Sequence, residues 1–494
     1  MKNIPSITKI TRVNVVLFVY QLVFLTFLLV LSSCAKLIDV NAPDTSLSDK
    51  NVYATDLTAA AVLTGIYADM SADENRNFTS FSAGIPLMSL YPALSADELT
   101  LYEGVNNPIC LAYYQNALTS LNVGSLDFWG KMYQTVYKIN AAIEGLDNST
   151  TLTPAVKHQL LGEAYFMRAF CYFYLANLYG AVPLVINTDY TLSAKQGRSP
   201  ETEVYQKIKA DLIQAQNLLS TDYMDATVLK TTTERVRPNK AAATALLARE
   251  YLYTSDWRNA ELEATKLIEN AGVYNLVDLN EVFLKNSKET IWSLQPIGTG
   301  VNANTGTARL FILPGSGPSD VYPVYISPYL RDSFEAGDQR FSKWLGSVNV
   351  DGTVFYYAYK YKMGAVNAAT PSEYAMVLRL GEQFLIRAEA RAQQGKYGLA
   401  RDDLNAIRRR AGLLPSGVDT KEDLLKSIYQ ERRVELFTEW GNRWLDLKRT
   451  QTINRVMPDV TRQKGGSWDS RWSVYPIPLR ELQNNPNLVQ NAGY

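Results

Sequence analysis

The chain has 494 residues, with 49 basic and 49 acidic side chains, 31 tyrosines and eight tryptophans. A balanced charge offers no cationic face to a nucleic acid. Three cysteines and one histidine, His158, are too few for a disulfide scaffold, a zinc site or a histidine-based triad.

The N-terminus carries Lys2, Lys9 and Arg12, then an apolar run from Val15 to Leu31 broken only by Gln21 and Thr26, then Ser32-Ser33-Cys34. A basic segment, an apolar segment and small residues make a bacterial export signal, and the run is short for a spanning helix. Leu31-Ser-Ser-Cys34 matches the lipobox, in which cleavage leaves cysteine first and its sulfur takes a diacylglycerol. Residues 1–33 are thus expected to be removed and Cys34 to be lipidated, with palmitate among its acyl chains. Each buried methylene of such a chain contributes ~0.8 kcal/mol of membrane affinity. The lost segment carries three positive charges and no negative ones, so the mature protein is net acidic. Residues 35–50 are polar, include Pro43, and suit a tether.

Helical periodicity then dominates. Asp56 to Met70 repeats Leu57, Ala60, Leu63, Ile66 and Tyr67 at spacings of three and four; Phe128 to Leu146 does the same with Trp129, Met132, Tyr133, Val136, Tyr137 and Ile143. Thr153 and Pro154 open a long helix to Tyr179, and Pro200 precedes another over Glu201 to Leu219. Two later segments superpose at a shift of 140 residues: Ala248, Ala260, Ala264, Leu267 and Gly272 fall on Ala388, Ala400, Leu404, Ile407 and Gly412. Small residues at that spacing let antiparallel helices approach closely, as in a tetratricopeptide (TPR) pair, and the glycine is expected to end the second helix. The fold class expected is mainly α, a TPR-like α-solenoid of about four repeats with long loop and short-strand insertions.

Two stretches break the helical pattern, residues 71–122 and 274–372. Both are rich in aromatics, and the second holds short alternating runs such as Thr353-Val-Phe-Tyr-Tyr-Ala-Tyr-Lys-Tyr361. Long insertions in a helical scaffold usually carry binding function. Gly298-Thr-Gly300-Val-Asn-Ala303 formally fits a dinucleotide fingerprint, but Pro296 before it and Leu313-Pro-Gly-Ser-Gly-Pro318 after it leave no helix to cap a pyrophosphate. No organic cofactor is expected. Calcium at Asp97-Glu98 is the one metal reading the acids allow.

Four blocks resemble the SusD/RagB family of outer-membrane nutrient-binding lipoproteins. They are Gly162-Glu-Ala-Tyr-Phe-Met-Arg-Ala-Phe-Cys-Tyr-Phe-Tyr-Leu-Ala-Asn-Leu-Tyr-Gly-Ala-Val-Pro-Leu184; Leu378 to Ala392 with Asp403 to Gly412; Glu431 to Arg449; and the tail Val474-Tyr-Pro-Ile-Pro478 through Tyr494. The resemblance implies a lipid-anchored, surface-exposed protein of the outer membrane, residues 51–494 forming the SusD-like domain. Such a protein captures an oligosaccharide or polysaccharide and hands it to a SusC-like TonB-dependent transporter, over which it sits as a lid. A Trp440-Gly441 pair stands where the family more often has Glu-Gly. Arg168, Glu389, Glu431, Arg432, Glu435, Arg443 and Asp446 lie at helical spacings beside apolar faces, Arg443 three residues from Asp446, and are read as ion pairs holding helices in register, not as catalytic groups. Pro476 and Pro478 are expected to fix an extended tail that packs back on the helices.

Sugar rings stack their C–H faces on aromatic planes while amides, carboxylates and guanidinium groups bind the hydroxyls. The helical aromatics Trp129, Tyr133, Phe166, Phe170 and Tyr174 are read as core. Loop aromatics are the better ligand candidates: Tyr102, Tyr113, Tyr322, Tyr325 and Trp344, with Asn106, Asn107, Asp320 and Arg340 as polar partners. Competing readings are a RagB-like peptide binder on the same scaffold, a surface glycoside hydrolase with two carboxylates across an aromatic cleft, and a TPR adaptor that binds only protein.

Overall fold

The computed structural model describes residues 52–72, 85–122, 128–364 and 366–494; the export signal, Cys34 and the tether lie outside them. Eleven longer helices carry the described chain: α1 (Asp56–Ala72), α2 (Phe128–Asn148), α3 (Pro154–Tyr179), α4 (Glu201–Leu218), α5 (Lys240–Tyr253), α6 (Trp257–Ile268), α7 (Leu380–Gln393), α8 (Tyr397–Arg410), α9 (Lys421–Glu435), α10 (Asn442–Arg449) and α11 (Ile453–Gln463). From α2 to α9 each helix packs on the next, the stacking expected of a solenoid. The second insertion separates α6 from α7 in sequence, yet those two helices pack together, so the insertion leaves the stack and returns to it.

The repeat is visible in side chains and backbone. Ala248, Ala260, Ala264, Ala388 and Ala400 are fully buried, and nothing larger would let these helix axes approach as closely. Between α5 and α6 the turn places Ser255 at φ 61°, and 140 residues on, between α7 and α8, Gly395 takes φ 78°. Glycine adopts that left-handed conformation at little cost, whereas Ser255 carries its strain. Gly412 follows α8 with φ 77°, ending it as expected. Gly272 does not play that part, because α6 already stops at Ile268 with Glu269 as its C-cap.

Helix α3 is buried on nearly every side, Phe166, Met167, Phe170, Tyr172, Phe173 and Tyr174 included, which marks it as the central rod of the core. Phe170 meets the rings of Trp292 and Trp440 edge-on at 5.4 and 5.7 Å. Trp440 thus fills the core with its indole N–H donated to the Met376 carbonyl at 2.6 Å. Gly441, at φ 71°, passes so close to Pro92 that a Cβ would come within 2.9 Å of its ring. The C-terminal tail returns as predicted: Tyr475 is buried, its backbone N–H bonds Leu178 O at 2.7 Å, and its ring lies 6.2 Å from those of Tyr179 and Trp444. Cys110 and Cys171 are buried free thiols, and burial pushes each up to about 12.

The charged helical residues form a buried ion network. Glu435 is approached by Arg340 at 2.9 Å and Arg379 at 2.6 Å, and by Arg410; Arg379 also bonds Glu289 and Glu439, each at 2.8 Å. Arg432 pairs with Asp446 at 2.8 Å, Arg449 with Glu389 at 2.7 Å, and Arg168 with Asp211 through two bonds. One expected pairing is replaced. Arg443 grips Asp97 through Nε and Nη2 at 2.7 and 2.8 Å, because the arginines that hold Asp446 are Arg432 and Arg449.

Among the described residues, six short strands form three antiparallel pairs. Strand β1 (Leu99–Leu101) pairs with β3 (Val324–Ile326), β2 (Thr290–Leu294) with β6 (Ala375–Arg379), and β4 (Leu345–Val350) with β5 (Thr353–Ala358). The pair β2–β6, buried along both strands, closes the base of the second insertion and runs from Arg379 directly into α7.

Candidate functional site

The pair β1–β3 joins the two insertions. Thr100 lies opposite Tyr325 and Leu101 opposite Val324, and the ladder extends through the Tyr102 N–H to Pro323 O at 2.7 Å. The chain then turns, Val105 N–H bonding Tyr102 O at 3.1 Å, with the Tyr102 ring lying over Gly104 so closely that a Cβ there would stand 2.6 Å from it. Across the gap, Ser319 and Tyr322 exchange two backbone bonds of 3.1 Å, which presents Asp320 and Val321 at the tip of a loop. Asp320 Oδ1 accepts the Asn106 N–H at 3.0 Å, so a side chain also ties the two loops together.

This platform gathers five of the nine predicted ligand residues. Tyr102, Asn106 and Asp320 are exposed, and Tyr322 and Tyr325 half-buried. Tyr325 is braced edge-on by Phe355 of β5 at 5.1 Å. Burial and the Glu103 carboxylate raise the Tyr325 hydroxyl, keeping it a hydrogen-bond donor. The platform therefore presents aromatic faces beside a carboxylate, an amide and phenolic hydroxyls, the mixture that suits a polyhydroxylated ring.

Four predicted residues stand elsewhere. Asn107 lies beside the platform as an N-cap, its Oδ1 accepting the N–H groups of Ile109 and Cys110 at 3.0 and 3.1 Å, a bond set that fixes the side chain to its own helix. Tyr113 is buried, stacked on Tyr91 with centroids 4.3 Å apart. Arg340 is fully buried: its guanidinium bonds Asp338 at 2.8 Å and lies 2.7 Å from Glu431. Trp344 is equally buried, its indole N–H on Leu279 O at 2.9 Å and the Lys360 ammonium 4.8 Å over its ring. Arg340 and Trp344 occupy the helical turn Gln339–Trp344, which the insertion sends back into the core. Tyr113, Arg340 and Trp344 are buried in the fold and present no face to solvent.

Phe355 and Glu103 were missed by sequence reasoning. Glu103 could have been found as the charged neighbour of Tyr102 in a turn. Phe355 lies in a run where five of six residues are apolar or aromatic, and only the pairing register shows which ring reaches Tyr325.

The acids proposed for calcium have another task. Asp97 lies between Arg443 and Arg433, the latter at 2.8 Å; burial opposes its charge, but the two guanidinium groups together hold its carboxyl well below the usual range. Burial, aided by the Asp97 charge, pushes Glu98 up to about 8. A divalent cation there would have to displace two arginines, so the site does not fit calcium. The backbone carbonyls of the same two acids accept Ser327 Oγ at 2.5 Å and Ser327 N at 2.9 Å. The ion cluster thereby anchors both strands of the platform at their base.

Comparison with known proteins agrees with this architecture. Residues 42–252 match a family described as starch-binding and associating with the outer membrane, and residues 341–494 match the SusD family. The chain belongs to the SusD/RagB family. It is 26% identical to SusD-like protein P38 of Formosa agariphila, over 96% of this chain and 99% of that one. Among solved structures, a SusD-like protein of Bacteroides fragilis superposes with a TM-score of 0.74 at 21% identity, covering 92% of this chain and all of the other. A laminarin-binding SusD-like protein gives 0.70 at 22% identity, covering 88% and 99%. The segment between the two family matches, 253–340, includes the Asp320 loop and β3.

Proposed function

We propose that the protein binds a glycan at the surface of the outer membrane, on the platform of Tyr102, Asn106, Asp320, Tyr322 and Tyr325, and delivers it uncleaved to a SusC-like TonB-dependent transporter. The observation that carries this reading is the β1–β3 pairing, which brings stacking and hydrogen-bonding groups from two distant insertions onto one exposed face. The starch-binding, outer-membrane description of the matched family supports the ligand class and the compartment. The lipobox ending at Cys34 supports attachment by lipid, and the family resemblance supports the transporter. A binding role without hydrolysis is favoured by where four of the buried carboxylates go: Asp97, Glu435, Glu439 and Asp446 face guanidinium or ammonium groups, which leaves them nothing to donate to a glycosidic oxygen, and Glu98, which keeps its proton, is itself shut off from solvent.

The test is calorimetric titration of the soluble chain beginning after Cys34 with polysaccharides, host-type glycans and mixed peptides, with products assayed in the same samples. Saturable glycan binding without products, weakened by Tyr102→Ala, is the expected result. Binding to peptides alone would transfer the protein to the peptide-import reading, and released sugar would make it an enzyme. Delivery is tested separately, by co-purification of the lipoprotein with the transporter encoded beside it.

A further inference from the structure

A second cleft of about 320 Å³ lies between α2, the turn that follows α3, the single helical turn Tyr190–Ser193 and the C-terminal helix Leu479–Asn484. It shares none of its lining with the β1–β3 platform. One wall is a ladder on α2: Trp129, Tyr133 and Tyr137, spaced by four residues and hence stacked one turn above another. The ladder runs from inside to outside. Trp129 is buried, Tyr133 half-buried and Tyr137 56% exposed, with the first two ring centroids 5.0 Å apart. Tyr190, 76% exposed, forms the facing wall, and Glu481 and Asn484 close the end.

The polar groups of this cleft divide into those used by the fold and those left over. Tyr133 donates its hydroxyl to Pro183 O at 2.7 Å, and Asn485 donates to Gln196 O at 2.8 Å, so both are fixed. Among the described residues, Glu481 makes no ion pair and the hydroxyls of Tyr137 and Tyr190 no hydrogen bond. Among the described residues, two exposed phenol rings and a carboxylate thus make no side-chain polar contact within the fold. They are the groups a sugar uses: flat apolar faces for its C–H side, and an acceptor for its hydroxyls. The volume lies at the lower end of the range for small-molecule sites, the size of a short saccharide segment and not of a folded partner.

We infer that this cleft is a second saccharide-binding site, which grips another part of the same chain or a second oligosaccharide. The inference extends the proposed glycan capture, on which it rests for the class of ligand. Two sites on one lipoprotein would raise retention of long chains over short ones through effective concentration.

The test uses the detergent-solubilised full chain and a panel of gluco-, manno- and xylo-hexasaccharides, read by equilibrium dialysis and Trp fluorescence. Tyr102→Ala, Tyr137→Ala with Tyr190→Ala, and the triple variant are compared; the cleft substitutions are at exposed positions, and unchanged circular dichroism and melting confirm folding. The expected result is a stoichiometry of two that falls to one in either of the first two variants and to zero in the triple, with the fluorescence change lost only when the cleft is altered. A stoichiometry of one, abolished by Tyr102→Ala and untouched by the cleft substitutions, would overturn the second site and leave the platform standing. Binding abolished by the cleft substitutions alone would establish the cleft and overturn the platform. No binding of any hexasaccharide would overturn both.

Discussion

The ion network around Glu435 and the platform around Asp320 hold similar side chains in opposite circumstances. Near Glu435, five or more charges share a dry volume, and every carboxylate there meets a guanidinium or ammonium group. On the platform, Asp320 is exposed and accepts the backbone N–H of Asn106. The first arrangement spends its polarity on the fold, since desolvated charges must find one another. The second keeps polarity and aromatic faces for something outside the molecule. Charge density is therefore a poor guide to function in this protein, and unspent hydrogen-bonding capacity is a better one.

That contrast can be broken from the core side first. Glu435→Ala leaves three arginines facing a buried gap; removing one partner of such a set typically costs ~3–5 kcal/mol. Urea unfolding should show that loss. A change below about 1 kcal/mol would mean that water screens the network and that the two regions differ less than their burial indicates.

Trp344→Ala should cost a similar ~3–5 kcal/mol by opening a cavity and removing the indole bond to Leu279, yet leave glycan affinity per folded molecule unchanged at a temperature where the variant is native. Calorimetry on the folded fraction separates the two effects. Lost affinity at full folding would return Trp344 to the binding surface. The converse is expected of Tyr102→Ala: glycan affinity at the platform falls by tenfold or more, equivalent to at least about 1.4 kcal/mol, with stability unchanged within ~0.5 kcal/mol because the ring is exposed.

The helical scaffold was open to sequence reasoning because its signals are local. Prolines at helix starts and aromatic spacing on α3 speak within one or two turns of chain, and the alanines of each repeat copy fall within a single helix pair. The platform was legible only by halves. Tyr102 and Tyr325 stand out as aromatics in loop-rich stretches, but the pairing that sets Thr100 opposite Tyr325 spans more than 200 residues and leaves no periodic trace. Trp344 and Arg340 failed for a related reason: an insertion is not uniformly surface, and the turn Gln339–Trp344 is drawn inward by carboxylates on α9, a helix far along the chain. The ladder Trp129, Tyr133 and Tyr137 divides, the first two read as core and found there, the third never assigned. Its spacing is that of a core stripe, and two of its three rings do lean on the core, while the last is left in solvent.

A buried acid without a cation sharpens the comparison further, and Glu250 of α5 supplies it. It is buried, and its Oε2 has no hydrogen-bond partner. Burial, opposed by Lys209, pushes its carboxyl up to about 7. Between about pH 4.5, where an unfolded glutamate ionises, and pH 7 the folded chain therefore holds a proton that the unfolded chain has lost. Stability must fall as pH rises through that window. Glu435, held well below the ordinary range despite burial by Arg410, Arg379 and Arg340, has the opposite sign: its contribution is present above pH 4.5 and is lost as pH falls. Glu250→Gln keeps the shape of the protonated acid and removes its titration. The variant should match the parent near pH 4 and exceed it at pH 8 by ~1–3 kcal/mol. Parallel melting curves from pH 4 to 8 would show that Glu250 reaches water or a cation in solution, and that the pairing rule of the helical half has no exception there.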